Sequence, residues 1–146
     1  MATTSSATST DLAVGLRLAV TRTARRLRQE AGGGLSPTLT AALATIDRHG
    51  PLTPSELAER ERIRRPTATR LVARLVADGL VGRTADPTDG RCSLLAATSA
   101  GQLLLAQLRT RKDAYLAQRL RRLDPDERET LARASDILER LLEDSA

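Results

Sequence analysis

Residues 51–91, "PLTPSELAERERIRRPTATRLVARLVADGLVGRTADPTDGR", carry the pattern from which the fold can be predicted. Thr53 and Glu56 have the spacing of a capping box, which predicts that a short helix begins directly after Thr53. Pro66 predicts the beginning of a second helix, and Gly79 predicts its end because glycine is favoured at the C′ position. The stretch therefore predicts two short helices separated by a tight turn.

A β-hairpin is predicted after the second helix. Residues 81–98, "VGRTADPTDGRCSLLAAT", consist of two strand-like runs around a cluster of Asp, Pro and Gly. Each of these residue types favours a turn for its own stereochemical reason, and the loop is longer than two residues. Two short helices followed by a hairpin are the order of a winged helix-turn-helix. The predicted fold class is therefore mainly α with a small β-hairpin wing.

The second helix of this stretch has two distinct faces. Its apolar side chains recur at helical spacing, and these are Ala68, Leu71, Val72 and Leu75. Thr67, Arg70 and Arg74 lie on a separate stripe. We expect one face to pack against a core and the other to offer hydroxyl and guanidinium groups to a partner. The alternative for the polar stripe is a solvated helix face.

Further helices are predicted on both sides of residues 51–91. Asp11 is the expected N-cap of a helix that ends at the glycines after Ala31, and Ser36 is the expected N-cap of a helix that ends at Gly50. The first of these is amphipathic, with Leu12, Leu16, Ala19, Thr23 and Leu27 at helical spacing.

A long helix is predicted from about Ser99 past Arg121, and a second capping box, Asp124 with Glu127, begins a last helix. The apolar positions of the last helix are Leu131, Ala134, Leu138 and Leu141. Amphipathic helices at both ends of a small chain need a partner for their apolar faces, and a second subunit is the expected one. The predicted organisation is a disordered tail (1–10), a helical dimerisation region (11–34 and 99–146) and a winged helix-turn-helix (35–98).

The charge balance points to an anionic partner. The 146 residues carry a formal net charge of +5, and Lys112 is the single lysine among 23 basic residues. Arginine forms planar, two-point hydrogen bonds that suit phosphates and guanine edges. Charge alone leaves nucleic acid, anionic lipid and simple solubility open.

Several classes of protein are disfavoured by composition. Cys92 and His49 are the only cysteine and histidine, which excludes an intramolecular disulfide and the usual zinc clusters, so neither a metal nor a cofactor is expected. The sequence offers no phosphate-binding glycine loop and no nucleophile with a partner base, so an enzyme is not expected. It also lacks a signal-peptide pattern and an apolar run of about 20 residues, which favours a cytoplasmic protein without a membrane partner.

The order of motifs from "PLTPSELAERERIRRPTATRLVARLVADGLVGRTADPTDGR" to "TSAG" resembles the MarR family of transcriptional regulators. The resemblance implies a homodimer that binds a pseudo-palindromic operator on double-stranded DNA, with recognition helices in successive major grooves and wings at the flanking minor grooves. It also implies a repressor that is relieved by a small aromatic or anionic ligand bound between the dimer helices and the DNA-binding lobe. The residues of such an effector site stay unknown at this stage.

The same resemblance assigns roles to individual residues. On the recognition helix it places Thr67, Thr69 and Arg70 near base edges and phosphates, and Arg74 near a phosphate. In the wing, Asp86 and Asp89 match acidic residues that brace an arginine, which is Arg91 here; the alternative for Arg91 is a structural salt bridge to one of them. Two further arginines precede the recognition helix and are expected either at phosphates or in the turn: Arg64 and Arg65.

This sequence departs from the family pattern at several positions. Thr88 and Gly90 occupy wing positions where the family often has basic residues, so we expect the wing to assist the recognition helix. Ala97 makes the packing position before Thr98 smaller, and Glu61 with Arg62 occupies a turn where glycine is common.

Three alternatives to a ligand-responsive regulator remain. Cys92 could make the protein a thiol-based redox sensor, against the simpler interpretation of a small strand residue. A sequence-independent architectural protein would be held on DNA by phosphate contacts alone. A helical interaction module would not bind nucleic acid.

Overall fold

The computed structural model describes residues 8–143. Within this range, six helices and one hairpin follow in the order α1 (Ser9–Ala31), α2 (Pro37–His49), α3 (Pro54–Glu61), α4 (Arg65–Ala77), β1 (Val81–Ala85), β2 (Ser93–Ala97), α5 (Ser99–Leu120) and α6 (Pro125–Glu143). The predicted class, mainly α with a β-hairpin wing, is confirmed. No helix within residues 8–143 is long and apolar enough to cross a membrane.

Local capping chemistry explains where most of the helices begin. The Ser36 side chain accepts the N–H of Leu39 at the start of α2, and Thr53 and Glu56 form the predicted capping box at the start of α3. Asp124 and Glu127 form the second capping box: each side chain accepts the other's backbone N–H. These interactions satisfy N–H groups that a helix start leaves without an intrahelical acceptor.

Three predicted boundaries were wrong. The N-cap of α1 is Thr8, and Asp11 is the third residue of its capping box, so the first helical turn includes residues 9 and 10 of the predicted tail. Residues 1–7 of that tail lie outside the described part of the chain. Helix α4 begins at Arg65, one residue before Pro66, because proline is tolerated in the first turn. Helix α5 ends at Leu120 instead of continuing past Arg121.

The core lies where α2, α3 and α4 meet the hairpin and the start of α5. Its fully buried side chains include Leu43, Ile46, Leu52, Leu57, Val72, Leu75 and Leu95. Ala68, Val72 and Leu75 of the predicted packing face are buried and Leu71 is half-buried, which confirms that face of α4. The core therefore sets which side of α4 is left to solvent.

The hairpin is tied to the helical lobe by one extra pairing. Strands β1 and β2 are antiparallel, with Val81 opposite Ala97 and Ala85 opposite Ser93. Leu52 pairs with Leu95 as a single-residue bridge, with N–O distances of 3.1 and 2.7 Å. This bridge places the root of the wing against the segment between α2 and α3.

Helix α1 packs along α5, away from the hairpin. Tyr115, the one aromatic residue of the sequence, accepts a hydrogen bond from Arg26 Nε at 3.2 Å, and the Arg119 guanidinium lies 5.1 Å from its ring centre. Arg111 Nη1 donates to the carbonyl oxygen of Ala31 at 3.0 Å, at the end of α1. The hydrogen bonds of Arg26 and Arg111, with the Arg26 guanidinium 5.9 Å from the Tyr115 ring centre, thus join the first helix to the fifth, whereas the Arg119 contact lies within α5.

Candidate nucleic-acid interface

The turn between α3 and α4 uses a left-handed residue that is not glycine. Arg62 has φ 53° and ψ 45°, and its N–H donates to Glu59 O at 3.2 Å while the next N–H, of Ile63, donates to Ala58 O at 3.0 Å. Thr45 Oγ1 donates to the Glu61 carboxylate, which ties α2 to the end of α3. The turn thus closes without the glycine that is common there, at the cost of some backbone strain.

The N-terminus of α4 is open to a ligand. Its N-cap, Arg64, makes no side-chain capping bond. The first N–H groups of a helix carry partial positive charge and bind phosphate oxygens readily. Arg64 and Arg65 are both exposed beside this end, so charge and dipole have the same sign there.

The polar stripe of α4 is largely open to solvent, as its spacing predicted. Thr69, Arg70 and Arg74 are exposed and Thr67 is half-buried. The Thr69 hydroxyl donates to Arg65 O at 3.0 Å, which leaves its oxygen lone pairs as acceptors. The structure brings these residues together with Arg65 on one helix, of which Arg64 is the N-cap. Their contact with DNA remains a prediction.

One residue on the same face was not singled out from the sequence. Asp78, at the end of α4, accepts a hydrogen bond from Arg74 Nε at 2.9 Å. The spacing of four residues between opposite charges on a helix was the signal that could have identified it.

The acidic residues of the wing act on its backbone. Asp86 Oδ1 accepts hydrogen bonds from the backbone N–H of Thr88 at 2.9 Å and from the Thr88 hydroxyl at 2.8 Å. These bonds hold the pKa of Asp86 below its ordinary value, and the bond from the backbone has the larger effect. Asp89 Oδ1 accepts the N–H of Arg91 at 3.1 Å. Among residues 8–143, Arg91 forms no ion pair with Asp86 or Asp89, and the contact of Asp89 with Arg91 is to its backbone. The Arg91 side chain is exposed at the wing.

Arg83 is a second basic side chain of the wing that sequence reasoning missed. It lies in the middle of β1, is exposed, and stands opposite Leu95 in the hairpin register. Its position within the "DGLVGR" motif, at the root of the wing, was the available signal.

Cys92 lies at the base of the wing loop and is half-buried. Its Sγ is 3.6 Å from Asp89 Oδ2, and the negative charge of Asp89, followed by burial, raises the pKa of the thiol. Redox-sensing cysteines depend on a lowered pKa, because the thiolate is the reactive form. The site therefore disfavours the thiol-sensor alternative.

A separate cleft of about 820 Å³ lies between α1, α2 and α5. Aliphatic side chains, among them Leu27, Leu35 and Leu108, form much of its wall. Its cations are Arg25, Arg28 and Lys112. The cleft thus combines an apolar wall with positive charge, at the junction of the terminal helices and the winged helix-turn-helix.

Comparison with known proteins gives consistent matches. The sequence model of the MarR family matches residues 35–93. An HTH-type transcriptional regulator of Mycobacterium leprae is 38% identical over 135 residues, which cover 92% of this chain and 94% of the relative. The HTH-type transcriptional repressor MdtR of Bacillus subtilis is 30% identical over 94 residues, which cover 64% of this chain and 61% of MdtR.

A solved structure matches the fold over nearly its whole length. The crystal structure of a transcriptional regulator protein from Pseudomonas aeruginosa superimposes with a TM-score of 0.83 at 37% identity. The match covers 92% of this chain and 97% of that chain.

Proposed function

The chain belongs to the MarR family of transcriptional regulators, and we propose that it represses transcription as a homodimer on a pseudo-palindromic operator until a small ligand releases it. It is a DNA-binding transcriptional regulator and not an enzyme. The observation that carries the proposal is the exposed polar stripe of α4, which adjoins a helix start without a side-chain cap and is followed directly by the wing.

In the proposed complex α4 lies in the major groove. Arg70 and the hydroxyls of Thr67 and Thr69 face base edges and nearby phosphates, and Arg74 faces a phosphate. Arg64 and Arg65 add phosphate contacts at the start of the helix. The wing directs Arg91 to the flanking minor groove, where a narrow A·T-rich groove concentrates negative potential. The turn bonds of Asp86 and Asp89 preorganise the loop, which lowers the cost of ordering it on DNA.

The terminal helices support a homodimer. Helix α6 buries none of its residues within the described chain, and Leu131 and Ile137 on it are 46% and 48% exposed. Leu12 on α1 and Leu142 on α6 are 63% and 70% exposed. Extensive exposed apolar surface is typical of an interface. We therefore assign residues 11–34 and 99–146 to dimerisation and residues 35–98 to DNA binding. A twofold dimer then reads half-sites about one helical turn apart.

Repression and its relief are supported by two observations. The relative MdtR is named a transcriptional repressor. The cleft between α1, α2 and α5 lies between the proposed dimerisation helices and the DNA-binding lobe. A ligand bound there would change the orientation of the DNA-binding lobe relative to the dimerisation helices. Its arginine, lysine and aliphatic side chains suit a small anion with an apolar body. A regulator of transcription acts where the DNA is, so we place the protein in the cytoplasm.

The experiment that tests this function is selection of genomic fragments by the purified protein, followed by footprinting and by measurement of the molar mass in solution. We expect a dimer and two protected half-sites about 10 base pairs apart. Equal affinity for the selected and scrambled sequences at each salt concentration would instead indicate an architectural protein. Failure to retain DNA at physiological salt would indicate a helical interaction module.

A further inference from the structure

An acidic residue lies at the end of the basic face of α4. Thr67, Arg70, Arg74 and Asp78 follow one another at intervals of three or four residues, so they form one stripe along the helix. Asp78 is the C-cap residue of α4, and its backbone N–H donates to Arg74 O at 3.0 Å. The face that is proposed to meet DNA therefore ends in a negative charge.

The carboxylate of Asp78 is directed to Arg74. Its Oδ2 lies 2.9 Å from Arg74 Nε, and the two side chains are 35% and 64% exposed. This contact uses Nε and leaves both terminal nitrogens of the guanidinium facing solvent or a ligand. The Asp78 carboxylate nevertheless offsets part of the positive charge that Arg74 presents in the free protein.

The fold itself gains little from this carboxylate. The C-terminal end of a helix carries partial negative charge, so an aspartate there is unfavourable for helix stability. A solvent-exposed ion pair with a spacing of four residues contributes little to folding. Stability thus does not account for an acidic residue at this position. Its main consequence is the effect of its charge on Arg74.

We propose that Asp78 limits the affinity of the recognition helix for DNA by competing with a backbone phosphate for Arg74. Because the exposed pair is weak, a phosphate can displace the Asp78 carboxylate from the guanidinium or share the guanidinium with it. In either case the nearby carboxylate repels the phosphate. Phosphate contacts supply the sequence-independent part of DNA affinity. Asp78 is therefore a positioning residue that reduces this part and keeps the protein dependent on its base contacts. The inference rests on the proposed placement of α4 against DNA.

The test compares the parent protein with Asp78→Asn, Arg74→Ala and the double variant on a mixed-sequence DNA duplex over a range of salt concentrations. Asparagine keeps the size of the side chain and removes its charge. We expect Asp78→Asn to bind about three- to tenfold more tightly at physiological salt. The slope of log affinity against log salt should become steeper, by at most about one unit, because Arg74 then meets its phosphate without a competing carboxylate. In the Arg74→Ala background the same substitution should change affinity by less than about twofold.

A matched control removes one negative charge elsewhere. Asp136→Asn on α6 changes the net charge equally and should leave the salt slope unchanged. The unfolding midpoint of Asp78→Asn should equal or exceed that of the parent, since a charge unfavourable to the helix end is lost.

The outcomes separate the two proposals. Unchanged or weaker DNA binding by Asp78→Asn would overturn the role of Asp78, as would a gain that persists in full without Arg74, because the carboxylate would then act on DNA directly. If Arg74→Ala itself binds like the parent, the proposed placement of the middle of α4 against phosphate fails.

Discussion

The hydroxyl of Thr98 donates a hydrogen bond to the carbonyl oxygen of Gly79 at 2.7 Å. The same hydroxyl oxygen accepts the N–H of Gly101 at 3.1 Å, as the N-cap of α5, and the Thr98 N–H donates to Leu80 O at 3.0 Å. Gly79 follows the end of α4 and has φ +73°. One threonine thus joins the recognition helix to the helix that leads into the proposed dimer, and so helps to set the orientation of α4 within a two-site complex.

Thr98→Val should lower the free energy of unfolding by about 1–2 kcal/mol, because it removes both an N-cap and a bond to Gly79 while keeping the branched shape. Urea unfolding of parent and variant measures this. Thr110→Val is the matched control, since Thr110 is exposed and its hydroxyl donates to Ala106 O at 2.9 Å within the same helix. That control should change stability by less than about 0.5 kcal/mol. Equal losses in the two variants would show that Thr98 has no special role.

Gly101 is required by a close approach of two backbones. A Cβ atom at this position would lie 2.2 Å from the carbonyl oxygen of Leu80 and 3.2 Å from Leu43 Cδ1. Gly101→Ala should therefore destabilise the fold by about 1–3 kcal/mol, since backbone has to move. Gly15→Ala on α1, where a Cβ would meet nothing within 4 Å, should stabilise it by about 0.5–1 kcal/mol through helix propensity. Thermal unfolding of both variants tests the opposite signs.

Features that depend on neighbouring residues were predictable from sequence. The caps at Ser36, Thr53 and Asp124 each satisfy backbone groups three residues away. At α1 the structure has a capping box that begins at Thr8, and Asp11, which was predicted to be the N-cap, is its third residue. The error is about one helical turn, because aspartate is favoured both at the N-cap and in the first turn of a helix.

Features that join distant segments were not predictable. Neither the Leu52–Leu95 bridge nor the Thr98–Gly79 bond leaves a local pattern, because each depends on how the hairpin packs on the helical lobe. The cleft is likewise assembled from three helices that are separated in sequence. For the candidate interface, helical spacing predicted the exposed face of α4, whereas the bond by which Asp89 holds the Arg91 backbone depends on the conformation of the wing loop.

Arg70→Ala should weaken operator binding by about 1–3 kcal/mol and relax the sequence preference at one position of each half-site. The reason is that Arg70 lies exposed in the middle of the polar stripe, where base-edge contact is expected. Binding of the variant to a set of single-base operator substitutions measures both effects. Arg133→Ala on α6 removes the same charge from an exposed side chain and should leave the preference intact. An unaltered preference in Arg70→Ala would place base recognition elsewhere on the protein.

Arg91→Ala should weaken binding less than Arg70→Ala does, by no more than about tenfold, and mainly on operators with A·T-rich flanks. Arg91 is exposed but is the one basic residue of the loop between β1 and β2, since Thr88 and Gly90 carry no charge. The measurement compares two operators that share the half-sites and differ only in their flanks. A loss that is the same on both would assign Arg91 to a plain phosphate contact.

Cys92 should be slow to react with alkylating agents and oxidants at neutral pH. The nearby Asp89 carboxylate raises the pKa of the thiol, so at neutral pH a smaller fraction of Cys92 is the reactive thiolate than in a free cysteine. The reaction should therefore accelerate only at a pH above the ordinary pKa of a thiol. Because Cys92 is the sole cysteine, the rate of iodoacetamide labelling followed by mass spectrometry reports this site alone.

Asp89→Asn should increase the labelling rate of Cys92, because it removes the charge but keeps an oxygen that can accept the Arg91 N–H. Asp86→Asn should have a smaller effect, since Asp86 contributes least among the causes of the shift. Labelling faster than that of a free cysteine, together with operator release by oxidant that Cys92→Ser abolishes, would restore the thiol sensor.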